Sequence, residues 1–232
     1  MSDLFSGGSL QFTHLTKSTA YLRPGAPAPV FSLSKNQCPT CFRGAPAIPP
    51  TRPTLPPLFS PATLIDRLNT ILTAAQRFLG QIPENQLDSM LPDRPRSYRQ
   101  LAYHIFQIPK VFLDRVEHDT PYTYEALVSH LPEALATRQD LLEFAHAVTD
   151  RINLGWAQAG QTIDFTQPGK VYYGGVTLHE VLERTAWHSG QHTRQLILTL
   201  ESTGINPVQP LDTPNFRACP LLREIWANEK TW

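Results

Sequence analysis

Two histidines four residues apart, His188 and His192 in the run Ala186-Trp-His-Ser-Gly-Gln-His192, are spaced to grip one cation. On a helix, side chains at i and i+4 project from one face about one turn apart, so both imidazoles point the same way. Neutral imidazole offers a lone pair at physiological pH. A third ligand from a facing helix would leave one coordination position open to water or substrate. His104 is the candidate for that third ligand. On a helical wheel it falls beside the stripe of Leu101, Ile105 and Ile108, so its ring is expected to face inward. A kink at Pro109 would give that ring room.

A pair of histidines at this spacing is also a common feature of solvated helix faces. The flanks favour the inward reading: Val181, Thr185 and Gln195 share the sector of His188 and His192, and Trp187 and Ile197 supply apolar cover. Arg184 lies near the ligand face, where it suits either an anionic substrate or a carboxylate on a neighbouring helix. His179 and Glu183 project away from the pair. Glu180 is explained as part of a capping box, and His14, His118, His130 and His146 carry no signal.

The elements that would position these rings are legible as helices. Ser60-Pro61 reads as a helix start, with serine as N-cap and proline at the first helical position. Leu64, Leu68, Ile71, Leu72, Ala75, Phe78, Leu79 and Ile82 follow at helical spacing. A second start, Ser97-Tyr-Arg-Gln100, is a capping box, with Leu101, Ile105, Ile108, Phe112 and Val116 along one face behind it. Pro109 inside that helix cannot donate to the carbonyl of Ile105. A linker of about 19 residues with one short helix (YEALVSHL) precedes a third long helix marked by Leu141, Ala145, Val148, Ile152 and Trp156, ending near Gly155 or Gly160. The last long helix opens at the capping box Thr177-Leu-His-Glu180 and runs to about Thr203, before Gly204.

Four long helices and almost no strand pattern predict an all-α chain. An antiparallel four-helix bundle over 58–212 is the economical arrangement. Residues 1–57, rich in Pro, Gly, Ser and Thr, read as an extended, poorly structured Pro-rich segment. Residues 213–232 read as a strap or short helix packed by Leu221, Leu222 and Trp226.

Composition bounds the function. The 20 basic residues balance 20 acidic ones, so the electrostatic footprint needed to hold a nucleic acid is missing. No apolar run suits a bilayer, and MSDLFSGGSLQF does not read as a secretory signal, so a soluble, cytoplasmic protein without a membrane partner is expected. Three cysteines cannot build a disulfide framework.

The segments RSYRQLAYHIFQIP and LHEVLERTAWHSGQHTRQL together resemble the DinB/YfiT-like superfamily of four-helix metalloproteins, with one histidine on the second helix and H-x3-H on the fourth. The resemblance covers about residues 58–212. It implies a divalent ion, often zinc or nickel, on His104, His188 and His192, with water completing the shell. It also implies a thiol-dependent S-transferase that uses a low-molecular-weight thiol such as glutathione and acts on a small-molecule substrate. Tyr103, Trp187, Arg184 and Gln195 would then line the substrate pocket, with Tyr172 and Tyr173 close by, and the protein would pair as a homodimer through its long helices.

The chain also resembles proteins in which a glutaredoxin-like domain precedes such a bundle, and VFSLSKNQCPTCFRG reads as a strand entering a CxxC motif. After Cys41, however, Phe-Arg-Gly-Ala-Pro-Ala-Ile-Pro-Pro cannot form the helix that would activate Cys38. The pair is therefore read as a remnant. Two rival functions remain: a non-catalytic, metal-stabilised binding module of a stress response, and a metal-dependent hydrolase.

Overall fold

The computed structural model describes residues 59–91 and 94–216. The expectations for residues 1–57, with Cys38 and Cys41, and for 217–232 fall outside those residues. Within them the protein is all-α. Five helices occur among the described residues: α1 (Pro61–Gln81), α2 (Tyr98–His118), a single-turn α3 (Tyr124–Leu127), α4 (Arg138–Ala159) and α5 (Leu178–Ser202). Pairing of extended backbone among them is confined to isolated bridges.

Each long helix begins where side-chain chemistry satisfies its first N–H groups. Ser60 accepts from Thr63 N at the start of α1, and Pro61 occupies the first turn, where it has no hydrogen bond to lose. Complete capping boxes open the other three: Ser97 with Gln100, Thr137 with Asp140, and Thr177 with Glu180. Removing such a cap typically costs about 1 kcal/mol. The Thr137 box carries Asp at its third position, a weaker sequence signal than the Glu or Gln of the usual pattern.

The helices pack by their apolar faces, α1 against α4 and α5, and α2 against the same two. Leu64, Leu68, Ile71, Leu72, Phe78 and Leu79 of α1 meet Leu101, Ile105, Phe106 and Ile108 of α2 and Leu182, Leu196 and Leu200 of α5 in one core of fully buried residues. Burial of this kind contributes about 25 cal/mol per Å² of apolar surface removed from water.

Helix α5 buries many polar residues, and three of its threonines are satisfied within the helix. The hydroxyls of Thr185, Thr193 and Thr199 donate back to the carbonyls of Val181, Ser189 and Gln195 at 2.8, 2.8 and 2.9 Å. Ser189 does something else. Its hydroxyl donates at 3.1 Å to Ile105 O on α2, the carbonyl that Pro109 cannot reach because it has no N–H. Helix α2 runs on through Pro109 to His118.

The segment between α4 and α5 is pinned from α2 by Arg115, which is 3% exposed. Its Nε donates to Gly169 O at 3.1 Å, one Nη to Pro168 O at 2.8 Å and the other to Asp119 at 2.6 Å. Gly169 belongs at that point because a Cβ there would stand 2.6 Å from Val181 Cγ2. Among the described residues no helix is long and apolar enough to cross a membrane.

Candidate metal centre

Helix α5 carries His188 and His192 on the face that packs against α2, and α2 carries His104 at the same level, one residue before the Ile105 carbonyl held by Ser189. The three rings converge. One nitrogen from each lies within 4.8 Å of the others, and all three residues are buried. Ring centroids are 5.2 Å apart for His104 and His188, 4.9 Å for His104 and His192, and 4.7 Å for His188 and His192. This group could hold a metal ion.

Two glutamines set the chemical form of two of the rings. Gln107, three residues after His104, places its Oε1 3.2 Å from His104 Nδ1. Gln195, three residues after His192, places its Oε1 2.7 Å from His192 Nδ1. The orientation of the Gln107 amide follows from its other contacts. Its Nε2 donates to Ala126 O at 2.6 Å and to the Ser129 hydroxyl, so its oxygen must face the histidine. An amide oxygen can only accept, so Nδ1 of His104 carries the proton and Nε2 carries the lone pair. The same holds for His192, whose Nε2 is buried without a hydrogen-bond partner. Holding Nδ1–H by an oxygen acceptor is the usual way a protein presents Nε2 to a metal.

Electrostatics agree with a neutral cluster. Burial holds His192 down to about 3, with the Arg96 guanidinium adding to it. Burial also holds His104 and His188 well below the ordinary imidazole range, helped by Arg96 and by the neighbouring rings. Each ring therefore keeps a lone pair at neutral pH. A buried nitrogen with a lone pair and no donor facing it is costly, and a cation bound by all three would remove that cost.

Beside His104 opens a cleft of about 120 Å³ whose lining includes Arg96, Gln100, Tyr103, Gln107, Ser129 and His130. Residues 127–131 form its far wall, within a segment 121–131 that is tied down at both ends. Burial pushes the Tyr122 phenol above its ordinary range, although it bonds Thr185, one turn before His188. At the other end the Tyr103 hydroxyl lies 3.5 Å from Ser129 Oγ.

The other expected pocket residues take separate places. Tyr103 lines the cleft. The Trp187 ring stands edge-on to His188 at 5.7 Å. The Arg184 guanidinium lies 4.5 Å over the ring of Tyr173, a cation–π contact, and its charge reaches His188. Tyr172 packs on Tyr124 and Tyr173. Gln195, expected in the pocket lining, is the residue that holds His192. His179 stays apart from the cluster, bonding Phe59 O at 2.9 Å, and Glu180 closes the capping box.

Sequence reasoning passed over Gln107, Arg96 and Ser129, and it set His130 aside as carrying no signal although that residue lines the cleft. For Gln107 a signal existed, because His104-x-x-Gln107 repeats the spacing of His192-x-x-Gln195. The other three reach the site through chain segments distant in sequence or outside the helical pattern. No family model matches the sequence, and no curated protein shows significant similarity to it.

Proposed function

We propose that this protein is a metal-dependent enzyme of the DinB/YfiT-like superfamily, an antiparallel four-helix bundle that transfers a low-molecular-weight thiol to a small molecule. The observation that carries the reading is the convergence of three buried, neutral imidazoles, with no fourth ligand grouped with them among the described residues. A structural ion of the zinc type closes its shell with a fourth protein ligand, whereas a catalytic one keeps a position open. That difference favours an enzyme over the non-catalytic stress-response module.

Zinc or nickel suits a set of three imidazole donors. When bound, such an ion supplies a nucleophile at neutral pH by lowering the pKa of a thiol or a water. The chain supplies the rest. His104, His188 and His192 would hold the ion, Gln107 and Gln195 would orient the rings, and the segment 121–131 would shield one side from bulk water. Among the described residues no aspartate or glutamate lines the cleft beside His104 to act as a general base, which favours thiol transfer over hydrolysis.

Metal analysis of the purified full chain tests the proposal, repeated on His188→Ala and His192→Ala. One equivalent of divalent metal is expected in the parent and loss of it in both variants. Undiminished metal in either variant would remove that histidine from the site.

A further inference from the structure

We propose that Ser129 is a positioning residue for the histidine cluster, acting on His104 through the amide of Gln107, so that metal loading is linked to the docking of residues 127–131 against α2. The inference rests on the metal-centre reading above and adds to it a residue outside the ligand set.

The relay is one saturated side chain. Gln107 is 2% exposed, and its amide offers one acceptor atom and two N–H groups. The acceptor faces His104 Nδ1 at 3.2 Å. One N–H goes to Ala126 O at 2.6 Å and the other to Ser129 Oγ. Turning the amide over would set its oxygen against the Ala126 carbonyl. It would also offer an N–H to Nδ1, which favours the tautomer with its proton on Nε2 and takes that lone pair from the cluster. The segment across the cleft therefore decides which face of the amide His104 meets.

The two acceptors stand where they do for local reasons. Thr123 Oγ1 caps the single-turn α3 by accepting from Ala126 N at 3.2 Å. A helix of one turn has few amides for its own carbonyls, and Ala126 O takes a hydrogen from Gln107 instead. Tyr122 and Leu127 are buried, and Tyr122 N donates to Lys170 O at 2.9 Å, so the start of the segment is anchored in the core. Beyond Leu127 the hold is of another kind. Ser129 and His130 are exposed, and the Ser129 hydroxyl bonds Gln107 and Tyr103, both on α2 and on either side of His104 in sequence. Residues 127–131 form a wall of the cleft that also contains His104.

A cation on Nε2 would draw electron density from the ring and make Nδ1–H a stronger donor. Hydrogen bonds in a chain polarise one another, so the amide would then grip Ala126 O and Ser129 more firmly. Linkage is reciprocal: whatever the ion adds to the hold on the segment, the segment adds to the affinity for the ion.

The test uses the full chain with zinc alone, its affinity read by competition with a chelator. Ser129→Ala is expected to bind zinc roughly three- to tenfold more weakly than the parent, the effect of one hydrogen bond. Ser129→Thr keeps the hydroxyl and retains parental affinity. In a Gln107→Ala background the loss of Ser129 has no further effect, because the relay is already cut. Amide exchange gives a readout in the parent itself: zinc slows exchange across 127–131 there and leaves it unchanged in Gln107→Ala. Parental affinity in Ser129→Ala, an equal loss in Ser129→Thr, a Ser129 effect of the same size with and without Gln107, or exchange at 127–131 indifferent to zinc would overturn the relay and leave the histidine cluster as a metal site. A parent that takes up no zinc would instead refute the metal centre itself, and this inference with it.

Discussion

The hydroxyl of Ser189 donates to the carbonyl of Ile105, the acceptor left open by Pro109. The bond joins α5 to α2 one residue beyond His188 on one helix and one residue beyond His104 on the other, so it sets the level at which the rings meet. A slip of one helical turn would displace His104 by about 5.4 Å, more than the 4.8 Å that contains the cluster.

Ser189→Ala should therefore cost about 1–3 kcal/mol, the penalty for a buried carbonyl without a donor. Pro109→Ala restores an N–H to the helix, and in that background the loss of Ser189 should cost less. Urea unfolding of the two single variants and the double variant measures the coupling. Strict additivity would mean that the serine and the proline are unrelated.

Gln107→Ala and Gln195→Ala should each weaken metal binding by roughly 10- to 100-fold without abolishing it, because the ring stays in place but its orientation and tautomer are no longer held. Competition with a chelator of known affinity reads the change. Affinity equal to the parent in both variants would show that the paired His-x-x-Gln contacts do not prepare the rings.

The metal-free protein should lose stability in mild acid. Burial holds the folded-state pKa of His192 at about 3 and those of His104 and His188 well below the ordinary value. In the unfolded chain imidazole titrates near about 6.5. As pH falls below that value the unfolded state takes up protons that the folded state refuses, so stability present above it is lost progressively toward pH 3. His192 alone accounts for roughly 1.4 kcal/mol per pH unit within that window. Denaturant midpoints of metal-free protein between neutral and acid pH should show this slope, flattened in His192→Gln; a flat parent profile would contradict neutral burial.

Arg115→Met should keep the buried stem and remove the guanidinium, stranding the carbonyls of Pro168 and Gly169 that it now serves. A loss of about 2–4 kcal/mol is expected from two such acceptors. Amide exchange should rise around Pro168 and Gly169, the stretch this side chain holds, and unchanged protection there would rule out the anchoring role.

The helical scaffold was legible because its signals are local. Ser60-Pro61, Ser97 with Gln100 and Thr177 with Glu180 are short patterns whose physics is complete within one turn, and the apolar spacing of α1 and α2 maps onto the buried core. The histidine cluster was legible for a related reason, since two of its members share a face by spacing alone. Arg96 and Ser129 were not, because Arg96 sits in an irregular turn ahead of α2 and Ser129 is held from the distant residues Tyr103 and Gln107. The Ser189 contact was half visible. Pro109 announces an open carbonyl, but only the packing of two helices supplies the donor.

Every candidate ligand comes from α2 and α5, while α1 and α4 contribute none. The candidate ligands thus sit on one pair of helices, while the apolar core draws on both pairs. Substitutions along Leu64, Leu68 and Phe78 would shorten the lifetime of the folded chain without altering what the imidazoles bind. The turns that frame His104 are where a single substitution would change the surroundings of the imidazoles and leave that core untouched.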